Sequence, residues 1–258
     1  MDIRLDGRAA VVTGGSTGIG LAIATRLAAS GADVALLARR PDVLAAAREA
    51  VAATARGRVV TVSCDVAKAD DVARAYGEVM AGLGRVDILV NNAGQSQTGA
   101  FTTITDEVWQ ADLDLKLFAA IRLTRLVWPQ MVERRWGRVI NVLNIGAKAP
   151  RAGSAPTSVS RAAGMALTKI LAGEGAAHNI LVNSLHGGLI KSDQCVRRAW
   201  QDGQSYGAFL AGMAASIPQG RVGTAEEFAN VACFLASDLA SYVTGIAINV
   251  DDNLCLVT

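Results

Sequence analysis

The sequence predicts an α/β fold, a doubly wound parallel sheet of about seven strands with helices on both faces. Three observations predict it. Short apolar runs alternate with helical stretches of about a dozen residues or more along the whole chain. The run at 86–91 is apolar at Val86 and over Ile88–Val90 before Asn91, as suits a strand covered on both faces. A glycine-rich turn joins the first run to the first helix. Right-handed crossovers then leave few topologies besides the doubly wound one.

The elements follow in order. Residues 9–13 are a short apolar strand with turn residues after them. A helix is expected over 19–29, stopped by Gly31, and a second strand over 34–38. Pro41 suits a helix start, and alanine-rich sequence carries that helix to about residue 55. A third strand lies at 59–63, an amphipathic helix at 70–81, and the fourth strand at 86–91. A long helix falls within 105–135, opened by Thr105 or Asp106. A fifth strand is expected at 138–142, a second long helix at 156–177 and a sixth strand at 180–185. Residues 192–216 read as irregular to helical. A helix at 224–236 has Thr224 as its cap and Glu226 and Glu227 on its positive end, before a last strand at 246–250. No repeat or Pro/Gly-rich linker interrupts this order, so one domain is expected over 1–258. Residues 146–158 read as an active-site loop, and 193–218 as either a mobile lid or a plain surface insertion.

Composition excludes several classes. Hydrophobic residues are 51% of the 258, enough for a sizeable core. Charged residues are only 19%, and the net charge is +2, too balanced for a protein whose main partner is nucleic acid. Four scattered cysteines and two histidines offer neither a disulfide framework nor a metal site. No signal peptide is readable at the N-terminus, and no uncharged apolar run reaches the ~18 residues of a membrane span. A cytoplasmic protein without membrane contact is the expectation, acting on a small molecule.

The turn after the first strand reads Thr13-Gly14-Gly15-Ser16-Thr17-Gly18-Ile19-Gly20. Gly14, Gly18 and Gly20 allow a tight turn, close approach of backbone to a pyrophosphate, and close packing of helix on sheet. The helix start then offers N–H groups and a positive dipole end to the phosphates, with Ser16, Thr17 and Ile19 beside them. This is the fingerprint of a Rossmann-like dinucleotide site. An acid at the end of the second strand would hold a ribose 2′-hydroxyl. Here that strand ends in Arg39 and Arg40, which suit a 2′-phosphate. NADP(H) is therefore the expected cofactor, with NAD(H) possible, unless these are ordinary solvated arginines. Asp65 and Val66 follow the third strand, where the adenine would lie. Asp65 either accepts from the adenine amino group or only caps the next helix.

With Asn91-Asn92-Ala93-Gly94 closing the fourth strand, the chain resembles the short-chain dehydrogenase/reductase family. The resemblance runs nearly end to end and is carried by the motifs at 13–20 and 91–94. It implies transfer of hydride between NAD or NADP and carbonyls, alcohols or double bonds. It implies Asn91, Ala93 and Gly94 beside the cofactor, and Ile190 and Ser192 near the nicotinamide carboxamide. The family usually has Pro-Gly at 187–188 and Asp-Gly-Gly near 251–253, where this chain has Gly187-Gly188 and Asp251-Asp252-Asn253.

The family's catalytic group is a Ser, a Tyr-x-x-x-Lys and an Asn, and each position can be located here. Asn144 stands at the Ser position, Thr157 at the Tyr, Arg161 at the Lys and Lys116 at the Asn. All four are changed. An aliphatic hydroxyl is a far poorer acid than a phenol tuned by a neighbouring cation. Arg161 can bond ribose hydroxyls but cannot relay a proton. Asn144 can donate to a substrate oxygen. Lys116 beside Arg161 is expected to have a depressed pKa and to serve as an acid near neutrality, or else to pair with Asp112 or Asp114 or face a subunit interface. Tyr206, His186 and Lys148 are weaker candidates for the chemistry.

Three functions compete. The first is an oxidoreductase with a non-standard proton donor, and an alkene could take its proton from water. The second is a silent NADPH-binding subunit or sensor. The third is a lyase, isomerase or hydrolase using Lys116 as base or Schiff-base amine. The apolar residues Trp200, Tyr206, Phe209, Leu210 and Met213 favour an apolar substrate. A homodimer or homotetramer is expected from the resemblance, through the helices near 106–135 and 156–177.

Overall fold

The computed structural model describes residues 2–257. Strand β1 (Ala9–Thr13) leads through the glycine-rich turn into α1 (Gly18–Ala29). Then come β2 (Asp33–Ala38), α2 (Pro41–Ala52), β3 (Val59–Ser63), α3 (Ala69–Leu83) and β4 (Ile88–Asn91). A two-residue strand β5 (Thr98–Gly99) precedes α4 (Asp106–Leu113) and α5 (Ala119–Arg134). Next are β6 (Gly137–Asn144), the short β7 (Ala155–Pro156), α6 (Thr157–Gly175) and β8 (Ile180–Gly187). The chain closes with α7 (Asp193–Gln201), α8 (Tyr206–Ala214), α9 (Ala225–Ala236) and β9 (Ala247–Val250).

Seven parallel strands form one sheet in the order β3-β2-β1-β4-β6-β8-β9. This is the doubly wound α/β fold expected from the sequence. Successive residues of β1 pack into different cores, Ala10 and Val12 on one face and Ala9 and Val11 on the other. The period of two along a strand makes this unavoidable once both faces are covered. The first core joins β1 and β2 to Ile23 and Leu27 of α1 and to Phe228 and Ala232 of α9. The second joins them to Val72 and Val79 of α3 and to Leu123 and Val127 of α5. The cap expected at Thr224 forms as a reciprocal pair with Glu227.

Two features depart from the sequence reading. The long helix after Thr105 is interrupted by a wider turn over Asp114–Phe118. Pro156 lies in a small antiparallel ribbon with β5, and α6 begins one residue later. Residues 192–216 hold two separate helices, α7 and α8. In the C-terminal tail, Asp252 and Asn253 adopt positive φ of 53° and 61°, where aspartate and asparagine are better tolerated than most side chains. Asp252 accepts from Gln219 N at 2.7 Å, tying the tail to the segment after α8.

Candidate active site

The strand order reverses direction between β1 and β4, and a cleft of about 730 Å³ opens at the carboxyl ends of the strands there. Its floor is the glycine-rich turn. Gly14 and Gly18 sit at φ of 62° and 55°. A Cβ on Gly20 would run into the Gly14 carbonyl and the Asn92 amide. That carboxamide staples the two motifs together. Asn92 Nδ2 donates to Thr13 O (2.9 Å) and Gly14 O (3.2 Å), while Thr13 Oγ1 accepts from the backbone N–H groups of Asn92 and Ala93. Among the described residues no side chain caps the start of α1, and its first turn holds no acid. Its free N–H groups and positive end therefore make an anion site on the cleft.

Gly14, Ser16, Thr17, Gly18, Ile19 and Gly20 all line the cleft. So do Arg39 and Arg40 at one end, with Asp65 and Val66 nearby, and neither arginine has an ion-pair partner among the described residues. Asp65 accepts from Ala67 N at 3.2 Å, which is local turn chemistry ahead of α3. Ala93, Gly94, Asn144, Thr157, Arg161, Ile190 and Ser192 line the remainder. Ser192 faces the turn, since a Cβ on Gly18 would stand 3.7 Å from its own Cβ.

Asn91 and Lys116 do not line the cleft. Asn91 lies behind its wall, donating to Asn141 Oδ1 at 2.9 Å and to Thr124 Oγ1 at 3.4 Å. Lys116 sits in the wide turn between α4 and α5 with its side chain 1% exposed. Its ammonium is ion-paired with Asp112 Oδ1, one of the two pairings the sequence offered, and donates to Thr157 Oγ1 at 2.7 Å. Asp112 Oδ2 accepts from Ser160 Oγ at 2.6 Å. Burial pushes the Lys116 amine down to about 8. The hydrogen bond it donates to Asp112 opposes this, and the Arg161 cation adds to it.

The Thr157 hydroxyl is fully committed. It donates to Gln97 O at 2.7 Å and accepts from Gln97 N and Lys116 Nζ. A hydroxyl has one proton and two lone pairs, so none remains for a ligand. Sequence reasoning missed Gln97 and Ser160. They belong to elements distant in sequence from Lys116, and only the ribbon and α6 bring them together.

Arg161 stands in the cleft wall and donates to Val142 O at 2.9 Å. Burial pushes its guanidinium down to about 10, so it remains a cation at neutral pH. A Cβ on Gly94 would run into its Nη2 in this position. Asn144 Oδ1 is enclosed without a hydrogen-bond partner among the described residues. The amide is therefore not pinned through that atom.

The weaker candidates lie elsewhere. Lys148 donates to Ala247 O at 2.7 Å, and Tyr206 starts α8 away from the cleft lining. His186 is fully buried, with Nδ1 on Asn144 O (3.1 Å) and Nε2 on Ser184 Oγ (3.0 Å). A carbonyl only accepts, so Nδ1 carries the proton and Nε2 accepts from the serine. Burial lowers this histidine to about 4 from 6.5. The unfolded chain then binds the extra proton between those values, and stability falls as pH drops from 6.5 to 4, by on the order of 3 kcal/mol. Denaturant titrations across that window should show the His186→Gln variant losing that much less than the parent. Parallel pH profiles would disprove it.

A glycine-turn cleft at the switch point of a doubly wound sheet defines a dinucleotide-binding protein of the oxidoreductase type. A model of the family described as enoyl-(acyl carrier protein) reductase matches residues 14–252. The chain is 35% identical to the 3-oxoacyl-[acyl-carrier-protein] reductase FabG of Escherichia coli over 255 residues, covering 99% of this chain and 100% of that protein. Its structure is similar to L-sorbose reductase from Gluconobacter frateurii complexed with NADPH and L-sorbose, with a TM-score of 0.94, 35% identity and full coverage of both chains. It is also similar to an actinorhodin polyketide ketoreductase with NADPH, with a TM-score of 0.89 and 31% identity over 96% of this chain and 97% of that one. The chain belongs to the short-chain dehydrogenase/reductase family.

Proposed function

We propose that the chain is an NADP(H)-dependent oxidoreductase acting on a carbonyl, an alcohol or an activated alkene, with its proton supplied by something other than residue 157. One observation carries this reading. The acid-free, uncapped start of α1 opens onto the same cleft as Arg39, Arg40 and Arg161. That arrangement fits a dinucleotide with an extra phosphate at one end and its reactive ring at the other. When bound, the nicotinamide supplies or accepts the hydride. Gly14 to Gly20 would hold the pyrophosphate, Arg39 and Arg40 the 2′-phosphate, and Arg161 the ribose hydroxyls nearest the ring. The NADPH complexes of the sorbose reductase and the ketoreductase support the same preference. Water reaching the cleft is the proton source compatible with a saturated Thr157 hydroxyl. An alkene substrate tolerates that arrangement best, because its carbon can be protonated from solvent after hydride arrives.

The test is a fluorescence titration with NADPH beside NADH, followed by a search for acceptors by NADPH oxidation. NADPH should bind more tightly than NADH. The Arg39→Ala/Arg40→Ala double variant should weaken NADPH roughly 10- to 100-fold and NADH by less than about threefold, as expected for loss of charge-assisted contacts to one phosphate. Equal losses for both cofactors would remove the 2′-phosphate role, and no binding of either would end the oxidoreductase reading. The committed Thr157 hydroxyl also favours a second reading, an NADPH-binding subunit or sensor without turnover. Tight binding with no acceptor across the panel would select it.

A further inference from the structure

We infer that the acceptor molecule carries a carboxylate, seated on the Arg161 guanidinium at the reacting end of the cleft. This deepens the oxidoreductase reading and rests on it. The first observation is the state of Arg161. A guanidinium offers five N–H donors, yet its hydrogen bond among the described residues is to one main-chain carbonyl, Val142 O. Among the described residues no carboxylate forms an ion pair with it. Asp112, whose charge acts on it from behind the wall, is already taken by Lys116 and Ser160. A partly buried cation without a counter-charge of its own is expensive, and the described residues supply none that pairs with it directly.

The second observation is what surrounds it. Among the described residues lining the cleft, the one acid is Asp65, at the adenosine end and engaged with Ala67 N. At the other end Arg198 of α7 donates to Ser96 Oγ at 3.1 Å, and Ser96 lines the cleft. A second guanidinium therefore stands at the rim. Ribose hydroxyls of the cofactor can accept from Arg161 but leave its charge uncancelled. A planar carboxylate matches both the charge and the fork geometry of the guanidinium. The apolar residues expected to select the substrate do not compete. Trp200 is 83% exposed, and none of Trp200, Tyr206, Phe209, Leu210 or Met213 lines this cleft.

The experiment is calorimetric titration of the NADPH-saturated protein with isosteric pairs: crotonate against crotonamide, pyruvate against pyruvamide, and benzoate against benzamide. The acid of at least one pair should bind tenfold or more tightly than its amide. The preference should weaken with added salt, survive in Arg161→Lys and vanish in Arg161→Gln. Arg198→Ala should reduce it by a smaller factor. Equal binding within every pair, or no binding of any acid while NADPH is bound, overturns the inference and leaves the oxidoreductase reading standing. Failure of NADPH itself to bind overturns both. The wild-type comparison decides the matter even if a variant does not fold.

Discussion

Replacing Asp112 with alanine is expected to cost about 3–5 kcal/mol of folding stability, the usual effect of leaving a buried charge without its partner. Asp112 and Lys116 are 4% and 6% exposed, so water cannot replace the lost carboxylate. The change also leaves Ser160 Oγ with only the Thr157 carbonyl as acceptor and leaves the ammonium with the Thr157 hydroxyl alone. Replacing both partners, as in Asp112→Leu/Lys116→Met, should be far milder, because the cost lies in the unpaired charge and not in the missing pair. The damage in Asp112→Ala should also shrink with rising pH. Lys116 already titrates near 8 in the folded protein against 10.5 in a free chain. Across that window the unfolded state binds more protons, so stability rises with pH. Removing the carboxylate widens the window downward. Denaturant unfolding at pH 7 and pH 9 checks this, and a loss under about 1 kcal/mol at pH 7 would mean the pair is solvated.

The second large effect concerns chemistry. Under the proposed function, installing the residues that the resemblance implies at these positions (Lys116→Asn, Asn144→Ser, Thr157→Tyr and Arg161→Lys) should raise NADPH-dependent ketone reduction by roughly 10²- to 10⁴-fold, the range for a positioned acid. The present Thr157 hydroxyl is spent on Gln97 and Lys116, and an aliphatic alcohol is a poor acid in any case. A phenol held beside a lysine can carry the proton. Single replacements should do little, since Tyr at 157 without Lys at 161 and without release of Lys116 meets the same occupied neighbours. Steady-state rates with a panel of ketones, on protein shown to be folded and NADPH-bound, decide it. An unchanged rate in the quadruple variant would mean that the wall at 157 no longer aims into the cleft.

Much of the fold was legible because its causes are local. β1 and β3 occupy the predicted residues 9–13 and 59–63, and the Thr224 cap forms, because apolar runs and capping side chains act over a few residues. The wide turn at 114–118 was not legible, because helix periodicity barely changes across one altered turn. Pro156 was drawn into α6 because its strand partner, Thr98, lies 58 residues away in sequence.

The site divides in the same way. The sequence by itself determined the glycine-rich turn, since Gly14, Gly18 and Gly20 have roles that backbone geometry alone imposes. It left Lys116 between an acid in the cleft and a partner for Asp112 or Asp114. Only the tertiary structure decided that it lies behind the wall on Asp112, and that Thr157 has no proton to spare. The physical reason is that hydrogen-bond saturation and desolvation depend on neighbours from several elements. Lys116, Thr157, Gln97 and Ser160 meet only when α6 packs against the turn before α5, and no local pattern along the chain records that meeting.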